Sequence, residues 1–165
     1  MSLAADNYAI CKRQEERLVF DHFDNDDAWK LGSQMVNDAR EKGLAIAVEI
    51  WINGYMVFRY GFNGTNNYND LWLGRKTNTV NMFHRSTLRT HYQPAVGEDD
   101  LYTDAHLDPN EYSNMGGGFP IFVKNVGCIG VLNVSGLVHT SDHQTAVDGI
   151  AKYLGITDIE RVREE

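Results

Sequence analysis

Residues 115–154, MGGGFPIFVKNVGCIGVLNVSGLVHTSDHQTAVDGIAKYL, decide the fold, because they read as a β-hairpin that feeds directly into a capped helix. Phe119 to Lys124 and Cys128 to Ser135 are rich in Ile, Val and Phe. The three residues between them end in Gly127, which is free to take the positive φ of a bulged loop. A loop of Asn125, Val126 and Gly127 sets Lys124 opposite Cys128 and Phe122 opposite Gly130, so an aromatic ring is expected over a residue with no side chain. Beyond Gly136, Ser141 and Gln144 stand three apart as a capping box, and Ala146, Val147, Ile150, Ala151 and Leu154 form one apolar stripe that Gly155 ends.

Working outward, Leu44 to Ile52 and Tyr55 to Phe62 flank Asn53-Gly54, the strongest short hairpin signal in the chain. A two-residue loop sets Ile52 opposite Tyr55, Ile50 opposite Val57 and Glu49 opposite Phe58. One face then carries Ile46, Val48, Ile50 and Ile52, and the other Ala45, Ala47, Trp51, Met56, Phe58, Tyr60 and Phe62. Two apolar faces call for cover on both sides, so helices or a second subunit are expected there, and a homo-oligomer is favoured.

An amphipathic helix precedes that hairpin: an Asn or Asp cap near Asn25, acids at Asp26 and Asp27, apolar Ala28, Leu31, Met35, Val36 and Ala39, and a stop at Gly43. The chain before Arg17 reads as irregular and charged, with Leu18 to Phe20 a short strand or a helix end. After a Gly/Asn-rich loop, a second long helix is expected from about Asp70 to Arg89, with Trp72, Leu73, Val80, Phe83 and Leu88 as core candidates. Glu98 to Glu111 reads as a short solvated helix and loop, and residues 156–165 as a charged tail in which Thr157 and Glu160 start one helical turn. The whole is a single domain over residues 1–165, core about 18–154, of the α/β (α+β) class, with one antiparallel sheet of four or five strands flanked by helices.

With 23 acidic against 15 basic residues, the net charge of −8 argues against a grip on nucleic acid or anionic lipid. No apolar run is long enough to span a bilayer, so no membrane association is expected. The first residues lack a signal-like core, and a cytoplasmic location is expected. Cys11 and Cys128 stand far apart with no CxxC, which predicts neither a disulfide nor a zinc knuckle.

Within that acidic chain, residues 71–97 hold no carboxylate but carry Arg75, Lys76, His84, Arg85, Arg89 and His91. Such an island pairs with the acids of residues 98–111, or it forms a site for carboxylates or phosphates, to which arginine forks are suited. Gly116, Gly117 and Gly118 let a backbone or a ligand approach closely, yet no GKS or GKT follows, so they are not a phosphate loop. Arg75 and Lys76 are expected to project towards a pocket rimmed by these glycines. The helix start after Ser135 and Gly136 is a further place for an anion, with Asp142 a dipole partner. Of six histidines, His139 and His143 are four apart, which is ligand spacing only on a continuous helix, and the cap at Ser141 falls between them, so no metal site is expected. No nucleophile elbow or catalytic triad order is present.

The run GGGFPIFVKNVGCIGVLNVSGLVHTSDHQTAV resembles the C-terminal signature of the HbpS-like family of haem-binding or haem-degrading domains, which includes the GlcG proteins and the C-terminal domain of PduO. FDNDDAWKLG, AIAVEIWINGYMVF and WLGRKTNTVNMFHRST are similar to the family's long branch, so the resemblance covers nearly all of residues 18–154. It implies a profilin-like fold, assembly into oligomers and haem as a candidate cofactor. One departure stands out: the histidine that commonly precedes the double glycine is replaced by Asn114-Met115. The expected function is a small-ligand or haem-binding module, with an oligomeric scaffold as the first alternative and a haem-degrading enzyme as the second. The ligand contacts are expected from Arg75, Lys76, Gly116, Gly117, Gly118, Ser135, Gly136, Asp142 and His143, with no metal site and no catalytic residues assigned. Haem propionates would meet the arginines and Lys76, and binding is expected to be weak and without turnover.

Overall fold

The two hairpins pair side by side in one five-stranded sheet; the structure, a computed structural model, describes residues 2–165. The strands are β1 (Val19–Phe20), β2 (Ala47–Ile52), β3 (Tyr55–Gly61), β4 (Gly118–Val123) and β5 (Gly127–Ser135), in the order β1-β4-β5-β2-β3. All neighbours run antiparallel except β1, whose two residues pair in parallel with β4, so the sheet is mixed rather than purely antiparallel.

Both hairpins carry a bulge that the simple registers miss. In the first, Ile52 faces Tyr55 and Trp51 faces Met56, but Ile50 then faces Phe58 rather than Val57. A one-residue slip moves every later side chain to the other face. Phe58 and Tyr60 therefore join Val48 and Ile50, where the Phe58 ring fills the space beside the bare Gly32. In the second hairpin Val123 faces Gly127 and Phe122 faces Cys128, and a bulge then sets Ile121 against Gly130. What approaches Gly130 is the backbone of β2, since a Cβ there would run into the Trp51 carbonyl oxygen. No Phe122 ring lies opposite it.

Helices α2 (Asn25–Glu41) and α5 (His139–Leu154) cover one face of the sheet, where Leu31, Met35, Ala146 and Ile150 bury against Val48, Ile50, Ile121, Leu132 and Val134. Helix α3 (Asn67–Phe83) covers the other face with Leu73, Val80 and the buried Lys76 and Thr77. That face is polar, with Glu49, Asn133 and Ser135 all buried. Asn133 donates to the Leu73 carbonyl at 2.7 Å and to Thr77 at 3.0 Å.

Several stretches differ from expectation. The N-terminal segment is helix α1 (Leu3–Arg17), capped by Ser2 and packed through Tyr8 and Cys11 on Leu88 and Tyr92. Its buried side also holds Asn7, Gln14 and Glu15, which breaks the apolar period that would have announced it. The second long helix stops at His84, in the left-handed region at φ 54°, and Ser86 caps a separate α4 (Thr87–His91) that turns Leu88 towards α1. Residues 98–111 form turns, not a helix, and bury Leu101. The tail makes no helical turn; it runs along α1 with Arg13 on Glu160, Arg17 on Asp158 and Arg163 on Asp6. Helix α5 begins at His139 rather than Ser141, with Val138 at its N-cap and no side-chain cap, and Asp142 reaches back to accept from the Leu137 N–H at 2.8 Å in the turn before it.

Most of the basic island is paired: Arg85 with Glu98, Arg89 with Glu15 at 3.0 Å, and Lys76 with Asp142 at 3.3 Å. Both cysteines are free thiols. Among the described residues no helix is long and apolar enough to cross a membrane.

Candidate functional site

A cleft of about 420 Å³ opens where the start of α3, the end of β5 and the start of α5 converge. Its floor is Lys76. Helix α3 points this side chain into the polar face of the sheet, where Nζ donates to the Val134 carbonyl at 2.9 Å and to Asp142 Oδ2 at 3.3 Å. An ammonium has three N–H groups, so one remains. Asp142 has both oxygens engaged, Oδ1 by the Leu137 N–H and Oδ2 by Lys76. Burial pushes the Asp142 carboxyl up to about 6 against the pull of Lys76, and burial lowers the Lys76 ammonium against the pull of Asp142. On both partners desolvation outweighs attraction, as expected for a sealed ion pair.

Of the glycine triplet, Gly117 packs on this floor and Gly116 on the first turns of α5. Gly117 has φ 133°, and a Cβ there would lie 2.7 Å from Lys76 Nζ and run into the Val134 carbonyl oxygen. A Cβ on Gly116 would meet the His139 carbonyl oxygen, and the Gly116 N–H donates to His139 Nδ1 at 3.1 Å. A neutral imidazole that accepts on Nδ1 carries its proton on Nε2, so His139 offers a donor at its free end. The wall is aromatic: Tyr68 stands edge-on to Trp72 at 6.2 Å. Asn69 donates to Ser135 Oγ at 3.3 Å beside Gly136 and Leu137.

Lys76, Ser135, Gly136 and Asp142 therefore line one cleft, with Gly116 and Gly117 packed behind it. Arg75 turns away: its Nε donates to the Asn110 carbonyl at 3.1 Å and its guanidinium lies 5.2 Å from the Trp72 ring centre. Gly118 begins β4 against Val80 and Thr87. His143, expected as a ligand contact, is sealed in the interior beside Phe119. Its Nε2 donates to Gln14 Oε1 at 2.8 Å and stands 3.7 Å from Cys11 Sγ, and burial lowers its pKa to about 3. Trp72, an aromatic expected to meet a porphyrin ring, and His139, at the start of the turn expected beside the ligand, also line the cleft, as do Tyr68, Asn69 and Met115, which sequence reasoning does not single out. The place of His139 is legible in principle, because on a helix that starts there it lies one turn before His143.

Residues 23–151 match the family described as haem degrading protein HbpS-like. The chain belongs to the HbpS-like family. A UPF0303 protein of Pseudomonas entomophila is 39% identical over 155 residues, 94% of this chain and 86% of that protein. A UPF0303 protein of Yersinia pseudotuberculosis is 34% identical over 148 residues, covering 90% and 86%. Among solved structures, the Ybr137w protein superposes with a TM-score of 0.81 at 25% identity over 90% of this chain and 87% of that one. HbpS follows at 0.64 and 21%, covering 81% and 91%, and a haem complex of PduOC at 0.63 and 16%, covering 86% and 99%. These last two show the shared fold.

The family poses the question of haem, and the donor set of the cleft answers it. An axial histidine presents a lone pair on Nε2 while Nδ1–H donates elsewhere. His139 is bound the opposite way round, accepting from Gly116 on Nδ1. His143 is enclosed. The residues present do not fit histidine ligation of haem iron in this cleft. The same argument applies to His91, His139 and Glu165, whose ligand-type atoms lie within 4.8 Å of one another. His139 has no free lone pair to give a cation there.

Proposed function

We propose that the protein is a small-ligand-binding module of the HbpS-like family, whose cleft takes a flat ligand carrying a carboxylate. The observation that carries this reading is the spare N–H of Lys76, at the floor of a cleft whose one carboxylate already has both oxygens engaged. Lys76 thus lines the cleft with an N–H beyond its two hydrogen bonds, and the Trp72 indole supplies an apolar ring with Tyr68 edge-on beside it. A tetrapyrrole meets this description through its ring and propionates, held without a histidine on its iron. No turnover belongs to the reading: Asp142 is engaged by Lys76 and Leu137, and the lone pair of His139 by Gly116.

Titration of metal-free protoporphyrin IX, followed by tryptophan quenching, tests it. Trp72→Ala, at a partly exposed position, is expected to weaken binding by about tenfold, the effect of roughly 1.4 kcal/mol of lost contact. Equal binding by the parent and by Trp72→Ala and Tyr68→Ala variants would place the ligand elsewhere.

We also propose self-association through β3, which forms one edge of the sheet and exposes Tyr55 (70%), Met56 and Tyr60, with Trp29 exposed nearby on α2. An unpaired edge with aromatic side chains is a template for another strand. This supports the scaffold reading as an addition to the cleft. The compartment we propose is the cytoplasm, and the two free thiols, Cys11 and Cys128, support it.

A further inference from the structure

Glu165 lays its carboxylate among three groups held by α4, its C-cap and α5. Tyr92 Oη donates to Oε1 at 2.6 Å, His91 Nε2 stands 3.7 Å from the same oxygen, and His139 Nε2 stands 3.5 Å from Oε2. The two imidazoles meet edge to face at 4.8 Å, and His91 Nδ1 is buried with no partner. The Glu165 side chain itself is 46% exposed. With Tyr92 Oη and His139 Nε2–H as donors and His91 Nε2 beside the same oxygen as Tyr92, three polar groups converge on an anion. Only one of the three contacts has hydrogen-bond length, so the present occupant fits loosely. A half-exposed carboxylate in such a contact contributes little to stability.

His139 belongs to two places at once. It lines the cleft together with Lys76, and its Nε2 stands 3.5 Å from Glu165 Oε2. We propose that Tyr92, His91 and His139 form a second carboxylate-recognition site, which Glu165 fills in the free protein and which a carboxylate of the bound ligand takes over. The ligand class narrows to flat dicarboxylates, one acid group met by Lys76 and the other by the His139 cluster. This rests on the reading of the cleft given above, and Glu165 then acts as a competitor carried by the chain itself.

The test uses the full chain and its Glu165→Gln variant, with two probes. Acetate is titrated while the imidazole resonances of His91 and His139 are followed by NMR, and metal-free protoporphyrin IX is titrated by fluorescence. In Glu165→Gln, acetate is expected to shift both imidazoles saturably at concentrations that leave the parent unmoved. Protoporphyrin IX is expected to bind the variant about three- to tenfold more tightly than the parent, the gain from removing a weak tethered competitor. Equal porphyrin affinity for the two proteins overturns the exchange and leaves the cleft reading standing. If porphyrin binds neither protein, the cleft reading fails, and acetate then decides alone: shifted imidazoles uphold the second site and unmoved ones end it.

Discussion

Lys76 and Asp142 meet 3.3 Å apart at the junction of α3 and α5, with side chains only 3% and 4% exposed. The pair joins the two helices that lie on opposite faces of the sheet, and the Val134 carbonyl ties it to β5 as well. Its energetic character follows from burial: attraction within the pair only partly offsets desolvation of both charges. The same enclosure that makes the pair costly to form leaves the ammonium one N–H beyond its two hydrogen bonds, on a residue that lines the cleft.

Removing one member is therefore expected to be worse than removing both. Lys76→Met leaves Asp142 buried alone and should lower unfolding stability by about 3–5 kcal/mol. The double variant Lys76→Met, Asp142→Asn should recover part of that loss. Urea unfolding of the three proteins measures it, and a Lys76→Met loss below about 1 kcal/mol would show the pair to be solvated.

Glycine substitutions separate seating from propensity. Gly117→Ala puts a Cβ against Val134 and Lys76 at φ 133°, so a loss of about 2 kcal/mol or more is expected. Gly74 lies inside α3, where a Cβ would meet nothing within 4 Å, and Gly74→Ala should stabilise by about 0.5–1 kcal/mol. Thermal unfolding of both variants gives the signs directly.

His143 gives the acid limb of stability a definite sign. It is held neutral in the fold down to about pH 3, whereas in the unfolded chain it takes up a proton near pH 6.5. The unfolded state binds more protons between those values, so this residue's contribution is lost as pH falls from about 6.5 to 3, at up to about 1.4 kcal/mol per unit. Asp142, raised to about 6, and Glu15, raised to about 7 by burial against the pull of Arg89, act in the opposite direction as pH rises from about 4 to 7. In a His143→Leu variant the acid limb should flatten. An unchanged slope in acid titrations monitored by circular dichroism would mean that His143 titrates normally.

The exposed edge of the sheet leads to a prediction about assembly. Light scattering at micromolar concentration should give a mass that is a multiple of the chain, and Tyr55→Lys with Tyr60→Lys should reduce it, because edge lysines oppose strand pairing. A monomer mass for the parent would contradict association through β3.

The hairpins, α2 and most of α5 were legible because their turn and cap residues act locally: Asn53-Gly54, the Asp24 region and Gly155 each fix a backbone conformation on their own. The bulges after Trp51 and Ile121 were not, since they arise from how strands meet in the assembled sheet. Helix α1 hid behind its buried polar residues, which are satisfied by the tail and by α4: Asn7 bonds Tyr92 and Arg163, and Glu15 bonds Ser86 and Arg89. For the cleft, the glycine triplet, Lys76 and the Ser135-Gly136 turn could be named from sequence. His139 was harder to place, because α5 starts without a side-chain cap and Ser141 is the residue that reads as one.

Parallel titration of haem and metal-free protoporphyrin IX tests the central claim most directly, because the two ligands differ only in the iron. If the cleft holds the ring and its carboxylates while His139 remains a donor, the two affinities agree within about threefold, and the Soret band of the haem complex lacks the signature of an axial histidine. Haem binding about a hundredfold tighter than protoporphyrin IX, with a histidine-type Soret band that disappears in His139→Ala, would contradict the account.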